Sequence, residues 1–369
     1  MRRWSLIVIY SLVAVGLVPR MAHARRKALP KIEWGLDVSA AAIYNSNIVG
    51  LSGNDRRSFL KFPAGFPTPL ESVDDMENEL QFHPTFRWRA PLNLMLGADY
   101  RLKLVHRLRN DFTDYQSHTV ALSARPRVAG YRWSARLRIA GIPSYYLRVY
   151  KDRDYGRWEP AKYANWDYSA SGRLRWWQSL WSEAGLGFST YYYNNKFTEY
   201  DSENRYATLG SGYDFATGWS ISGSFTRRIA DNVGKDQPGV FNTPPADPSL
   251  IGDSEYGDSG FKENDWTGQV ASHLDWVLPV RSEASLTYHW RRRVYTATRP
   301  LDLDPFHRGR VDRRGQFTAA VRVTIVPALT AEPYLTYDER RTDSPDLRVP
   351  AIKSFVRREF GLTVTYSLQ

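Results

Sequence analysis

Residues 92–110 read LNLMLGADYRLKLVHRLRN, and this stretch decides the fold class. Every second position from Leu92 to Leu104 is apolar or aromatic, whereas the other set of alternate positions carries Arg101, Lys103 and, further on, Arg107. A strict period of two places the two sets on opposite faces of a β-strand. Strands of soluble domains usually have about five or six residues, so a strand of this length favours a membrane-spanning barrel.

The same alternation recurs along the whole chain. It predicts an all-β protein, a transmembrane antiparallel up-and-down β-barrel of about fourteen strands. The segments with sustained alternation are 32–46, 77–90, 92–110, 115–129, 131–149, 162–177, 181–194, 204–216, 219–230, 263–277, 280–297, 313–326, 329–342 and 353–368.

The connections between these segments alternate in length, which supports the same architecture. Short joints fall near residues 91–93, 130–131, 178–180, 217–218, 278–279 and 327–328. Longer polar loops lie between them, the longest being 47–76 and 231–262. Outer-membrane barrels have short periplasmic turns and long extracellular loops. We therefore expect both termini in the periplasm and the two long loops outside the cell.

The composition excludes several other classes of protein. The 369 residues include no Cys, which removes disulfide scaffolds, Cys-ligated metals and thiol nucleophiles. The mean hydropathy is -0.50, and the only long apolar run is Leu6–Val18, so a bundle of membrane helices is excluded. With 13 Trp, 23 Tyr and 16 Phe, the chain is also far too aromatic to stay disordered.

The N-terminus predicts export. Arg2 and Arg3 precede the apolar run, and Ala22-His23-Ala24 supplies an A-x-A cleavage site, so residues 1–24 are predicted to be a secretory signal peptide. The alternative, an uncleaved anchor helix, is disfavoured because thirteen apolar residues are too few to cross a bilayer. The mature chain, 25–369, is then a single barrel domain, expected in the cell outer membrane.

If the apolar positions face lipid, the opposite positions line the lumen. On predicted strands two to six these positions carry a basic wall, namely Arg87, Arg89, Arg101, Lys103, Arg107, Arg109, Arg125, Arg127, Arg132, Arg136, Arg138, Arg173 and Arg175. The later strands offer an acidic set, Asp214, Asp265, Asp275, Glu283, Glu332, Asp338 and Glu359, with fewer bases such as Arg291, Arg293 and Arg322. The two sides of the lumen are therefore expected to carry charges of opposite sign.

A wall of guanidinium groups in a narrow passage attracts anions, and Arg can bind carboxylates or phosphates with two hydrogen bonds. The sequence thus predicts a pore that passes anionic solutes or an acidic polysaccharide by diffusion along the basic wall. The alternative is a non-conducting barrel, in which the charges pair and brace the lumen. Such a barrel would serve partner export or a structural interaction. The aromatic and Pro residues of loop 47–76, including Phe59, Phe62 and Phe66, suggest a packed plug or constriction.

Catalysis, metal binding and nucleic-acid binding are all disfavoured. His83, His273 and His289 fall on inward positions, but no G-x-S-x-G element accompanies them, so we predict no enzyme activity. No His pair has zinc spacing, and no cofactor or metal site is expected. The pI of about 9.6 is better explained by lumen charges than by nucleic-acid binding, because the basic residues alternate strictly with apolar ones.

Two short stretches resemble known barrel families. Gly361, Val364, Tyr366 and Leu368 resemble the C-terminal signal by which outer-membrane barrels engage their assembly machinery, which implies that machinery as a partner. Residues 44–48, YNSNI, resemble the Y-D-S-N motif of surface lipoprotein assembly modifiers, and similar openings occur in barrels of exopolysaccharide export systems. This resemblance implies a fourteen-stranded barrel and makes lipoprotein export the second functional candidate. Outer-membrane lipid or lipopolysaccharide is the remaining expected partner.

Overall fold

The computed structural model describes residues 32–91, 93–126, 132–152, 157–234, 258–274 and 280–368. The predicted signal peptide, 1–24, and most of loop 231–262 lie outside the described residues. The strands are β1 (Ile32–Asn45), β2 (Asp75–Ala90), β3 (Leu94–Arg107), β4 (Tyr115–Pro126), β5 (Trp133–Asp152), β6 (Arg157–Arg175), β7 (Leu180–Tyr193), β8 (Ser202–Asp214), β9 (Trp219–Asn232), β10 (Phe261–His273), β11 (Ser282–Tyr295), β12 (Val311–Val326), β13 (Leu329–Asp343) and β14 (Phe355–Leu368).

These strands form one closed barrel in which each pairs antiparallel with its neighbours in the chain. The barrel closes between β1 and β14, where the register runs from Leu36 opposite Leu368 to Asn45 opposite Glu359. The predicted fourteen-stranded up-and-down barrel is confirmed. The predicted assembly signal, residues 361–368, lies in β14 at this seam.

The hairpin of β5 and β6 is longer than the sequence alternation indicates. Residues 150–161 were expected in a loop, but pairing continues to Asp152 opposite Arg157. The register shifts between Ile142 and Tyr145 and again between Tyr146 and Arg148. Each β-bulge adds a residue that moves the following side chains to the other face. The bulges interrupt the period of two, so alternation in the sequence does not reveal the ends of β5 and β6 next to their connecting loop.

The distribution of apolar and charged side chains in the barrel is the reverse of that in a soluble protein. Large apolar side chains are exposed on its outside, with Leu137 at 58%, Leu186 at 69% and Leu209 at 63%. Charged residues occupy the alternate positions, and Glu263 and Asp338 are among the most deeply buried side chains. An apolar exterior around a polar interior is the arrangement of transmembrane barrels. No helix in the described ranges is long and apolar enough to cross a membrane.

The loop that follows β1 folds into a compact unit. Its helix α1 (Gly53–Lys61) begins after Ser52, whose hydroxyl accepts a hydrogen bond from the Asp55 amide at 3.0 Å. Phe59 meets Phe66 edge to face at 5.5 Å within a cluster that also contains Ile48, Leu51, Leu70 and Val73. Phe62, by contrast, is 72% exposed. Helix α2 (Arg348–Lys353) precedes β14 and lies against α1.

Lipid contact predicts opposite outcomes for two adjacent residues of β11. Leu286 faces outward, with Val270 and Ala319 as its cross-strand partners, whereas Ser285 faces the lumen between Ala271 and Ala320. We expect Leu286→Arg to lower the free energy of unfolding by about 2–4 kcal/mol, because it places a cation in the apolar band. Ser285→Arg, the matched control, should cost less than half of that. Urea unfolding in phospholipid vesicles measures both, and equal losses would contradict the assignment of faces.

Candidate functional site

The structure distributes the predicted lumen residues as follows. Inward strand positions hold ten of the bases: Arg87, Arg89, Arg101, Lys103, Arg107, Arg125, Arg136, Arg138, Arg173 and Arg175. Arg132 precedes β5, and Arg109 lies in the loop after β3, 3.8 Å from Asp74. Six acids, Asp214, Asp265, Glu283, Glu332, Asp338 and Glu359, also occupy inward positions. Arg127 and Asp275 lie outside the described residues.

The basic wall does not carry charges of a single sign, because acids of the same or nearby strands lie beside its bases. Asp167 of β6 contacts Arg138 at 3.0 Å, and Asp99 of β3 contacts Arg136 at 3.3 Å. Further pairs of the same kind are Glu33 with Arg89, Glu79 with Lys103, Glu77 with Arg107 and Glu183 with Arg173. The expected separation of charge between two sides of the lumen is therefore replaced by local pairing across strands.

The later strands carry more inward bases than the sequence analysis assigned. Glu263 of β10, only 1% exposed, contacts Arg293 at 2.8 Å, and Arg228 and Arg291 each at 3.5 Å. Three guanidinium groups from β9 and β11 thus share one buried carboxylate. Removal of such a group from water is costly unless cations and hydrogen bonds replace its hydration, so this contact fixes all three Arg in place.

Two other buried carboxylates hold Arg side chains in the same way. Asp338 of β13, fully buried, contacts Arg314 at 2.6 Å and Arg357 at 2.8 Å. The Asp312 carboxylate of β12 accepts hydrogen bonds from Nε and Nη2 of Arg310, at 2.9 and 2.7 Å. Bidentate pairs of this kind are geometrically specific. The guanidinium groups on this side of the barrel are therefore oriented before any ligand arrives.

These Arg residues surround a cavity of about 440 Å³. Nine basic side chains line it, Arg107, Arg148, Arg228, Arg293, Arg310, Arg314, Arg340, Arg357 and Lys353. Among the described residues that line the cavity there is no Asp or Glu. The carboxylates that pair with these bases, Glu263, Asp312 and Asp338 among them, are not part of the lining. We call this space the basic cavity.

The basic cavity lies where the strands meet the long loops. Loop residues Ile48, Val49 and Gly50 reach it from the segment after β1, and His307 reaches it from the segment before β12. Lys353 contributes from the end of α2. Loop 47–76 thus contributes its first residues to the lining of the basic cavity, whereas Phe59, Phe62 and Phe66 are not part of that lining.

Tyrosine rings form a large part of the remaining lining of the basic cavity. Tyr163 lies 5.3 Å from Tyr145 and 5.5 Å from Tyr193, measured between ring centroids. The series of contacts continues from Tyr193 to Tyr200 at 5.8 Å, and through His307 to Tyr295. Tyr146, Tyr150 and Tyr191 also line the cavity. These tyrosine rings come mainly from β5 to β7, whereas the guanidinium groups come mainly from β9 to β14.

Among the cavity-lining bases that are absent from the sequence-based prediction are Arg228, Arg314, Arg340 and Arg357. The signal was present in the sequence, because each belongs to a pair of consecutive Arg residues: 227–228, 313–314, 340–341 and 357–358. In a strand, one member of such a pair must face inward. Arg148 and Lys353 could not be found this way, since one follows a bulge and the other lies in a helix.

No group of three or more His, Asp or Glu in the described part of the chain is arranged to hold a metal ion. His83 lies between Asp37 at 3.4 Å and Asp99 at 3.6 Å, and His289 contacts Asp265 at 3.0 Å. These inward His residues are thus parts of polar networks in the lumen.

No family model matches the chain, and no curated protein matches it. Solved structures with a similar fold are outer-membrane β-barrel proteins. One is a bacterial polysaccharide outer membrane secretin, at 9% identity and a TM-score of 0.44, covering 90% of this chain and 98% of that one. Another is an anion-selective porin from Comamonas acidovorans, at 10% identity and a TM-score of 0.43, covering 91% and 99%. OmpT of Vibrio cholerae has 9% identity and a TM-score of 0.45, covering 91% and 99%. These likenesses concern the fold alone.

The buried carboxylate of Glu263 gives a stability prediction. Glu263→Gln leaves Arg228, Arg291 and Arg293 without their shared counter-ion, so we expect the free energy of unfolding to fall by about 3–5 kcal/mol. The matched control is Glu332→Gln, which breaks a pair with Arg322 whose side chains are 30% and 59% exposed; it should cost about 1 kcal/mol or less. Urea unfolding midpoints measure both. A loss for Glu263→Gln no larger than the control's would show that the cluster does not depend on this carboxylate.

Proposed function

We propose that the protein is an outer-membrane pore that passes anions through the basic cavity. The observation that carries this proposal is the lining itself, to which the described residues contribute nine bases and no carboxylate. Fixed positive groups in a narrow low-dielectric passage concentrate anions and repel cations. We place both termini in the periplasm and the long loops outside, so that the basic cavity lies near the extracellular entrance.

The charge balance around the basic cavity supports attraction of anions rather than simple bracing. Six carboxylates among the described residues form ion pairs with bases of the lining: Asp55, Glu77, Glu263, Asp312, Asp338 and Glu359. None of these six belongs to the lining itself, so the charge that faces the cavity is positive. A passing anion can also share hydrogen bonds with guanidinium groups whose remaining N–H donors point into the cavity, because Arg carries five donors.

The proposal predicts that anion preference depends on the basic cavity and not on lumen charge in general. In Arg148→Gln/Arg340→Gln/Lys353→Gln, three cavity charges are lost, and we expect the anion-to-cation permeability ratio to fall several-fold. The control, Arg101→Gln/Arg136→Gln/Arg173→Gln, removes equal charge from the lumen outside the cavity and should change the ratio much less. Reversal potentials in planar bilayers under a salt gradient measure this ratio.

Three results would contradict the proposal, the first by removing the pore and the other two by removing selection by the basic cavity. If the correctly folded wild type conducts no ions, the alternative gains support, a non-conducting barrel for partner export in which lumen charges act as braces. If both triple variants lose selectivity equally, the whole lumen and not the cavity selects. If neither loses it, the charges do not select at all.

An acidic saccharide is the more specific candidate for the transported anion, because the tyrosine series lies opposite the guanidinium groups. Sugar rings pack on aromatic faces through their apolar C–H surfaces, while carboxylates bind Arg. Tyr163 sits at the centre of the series, in contact with Tyr145, Tyr191 and Tyr193.

This candidate predicts that aromatic rings prolong the residence of acidic oligosaccharides. We expect a uronate oligosaccharide to interrupt the ion current of the wild-type pore, and Tyr163→Leu/Tyr295→Leu to shorten each interruption several-fold. Chloride selectivity should remain, because no charge is removed. Oligosaccharide interruptions of unchanged duration in this variant would leave the pore proposal standing but remove the saccharide candidate.

A further inference from the structure

A row of arginines crosses the outside of the barrel near the long-loop ends of β9 to β13. Arg227 lies directly opposite Asn264, Asn264 opposite Arg292, Arg292 opposite Arg313, and Arg313 opposite Arg341. All four Arg side chains are exposed on the outward face. We call these four residues the outer arginine row. Arg205, Lys262 and Arg358 are also outward and exposed near the same end of the barrel.

The outer arginine row places like charges beside one another. Side chains directly opposite on adjacent strands have Cβ atoms about 4.5–5.5 Å apart, and like charges at that spacing destabilise the sheet. Two carboxylates relieve part of this repulsion, because Asp343 contacts Arg313 and Glu339 contacts Arg341 at 2.6 Å. The side chains of Arg313 and Arg341 nevertheless remain 50% and 76% exposed. They retain donors that an external anion can reach.

The row lies at the boundary of the apolar band. One step below it, towards the short turns, Phe225, Trp266 and Trp290 stand side by side, with the rings of Phe225 and Trp266 4.4 Å apart. On β12 the outward positions from Gly315 to Ile325 are all uncharged. This segment has ten residue steps of about 3.3 Å, and with the strands tilted by about 40° it spans about 25 Å along the barrel axis. That length equals the height of the apolar band of such barrels.

The row is confined to one side of the barrel. At the same end of β2, β3 and β4 the outward residues Met76, Leu104 and Gln116 are uncharged, and Lys162 of β6 is a single outward base that stands apart from the row. Other outward acids near the row are Glu203 and Asp231, so seven bases face four acids on this side. If basic residues were simply preferred at the membrane boundary, they would lie all round the barrel. A localised patch instead fits a particular ligand.

We infer that the outer arginine row binds the phosphorylated headgroup of a glycolipid in the outer leaflet. Guanidinium groups pair bidentately with phosphates, and the aromatic residues just below would pack on the acyl chains at the headgroup level. A lipid with two phosphate monoesters on a sugar headgroup can span neighbouring Arg residues and relieve their repulsion. This inference rests on the proposed outer-membrane placement, with the long loops at the outer leaflet.

The test uses the full mature chain, folded in zwitterionic detergent, and three probes. The probes are a diglucosamine lipid that carries two phosphate monoesters, the same lipid without phosphate, and inorganic phosphate. Lipid retained on the protein is counted by native mass spectrometry. We expect the bisphosphorylated lipid to bind at least about tenfold more tightly than its dephosphorylated form, with a strong dependence on salt.

The variant Arg292→Gln/Arg313→Gln/Arg341→Gln should lose that preference for phosphate, while Arg101→Gln/Arg136→Gln/Arg173→Gln, three inward Arg, should retain it. Heat-modifiable mobility on gels reports whether each variant has folded. The inference is overturned if the outward variant keeps the preference, if the dephosphorylated lipid binds equally well, or if inorganic phosphate competes as effectively as the lipid. Because these three residues do not face the lumen, the outward variant should keep the wild-type anion selectivity, so the two proposals can fail separately.

Discussion

Closure of the barrel by backbone hydrogen bonds is the constraint on which the rest of the structure depends. In a bilayer no water is present to satisfy a free N–H or C=O, so a sheet can span it only if it has no open edge. The pairing of β1 with β14, from Leu36 opposite Leu368 onwards, removes the last edges. Once each strand is paired on both sides, the direction of every side chain is determined, and successive residues must alternate between lipid and lumen.

This alternation turns runs of basic residues into two separate surfaces. Residues 291–293 are three consecutive Arg; Arg291 and Arg293 meet Glu263 inside the barrel, while Arg292 joins the outer arginine row. The pairs 227–228, 313–314 and 340–341 divide in the same way, one member lining the basic cavity and the other lying in the row. The basic cavity and the row therefore lie back to back near the same end of the barrel wall.

The sequence was sufficient to predict the strands but not the contacts between their charges. Alternation identified all fourteen strands because lipid demands an apolar residue at nearly every outward position. It could not place Asp167 beside Arg138, because that contact depends on the register of β5 and β6, and two bulges in β5 alter the register. It also could not find Lys353, whose position depends on a loop helix that folds against α1. The period of a strand therefore predicts the face on which each of its residues lies, whereas contacts between residues of different strands cannot be predicted from it.

The buried carboxylates have a further consequence for register. If β11 slipped by one residue relative to β10, Arg292 would turn inward and Arg291 and Arg293 outward, which would leave Glu263 with fewer cations in a position where it is 1% exposed. The cost of an under-paired buried carboxylate is several kcal/mol, and every apolar residue of the strand would enter the polar lumen in the same step. The apolar pattern alone would already oppose the slip. The ion cluster adds a local penalty at the loop end of the strands, where the apolar band stops and offers no discrimination between registers.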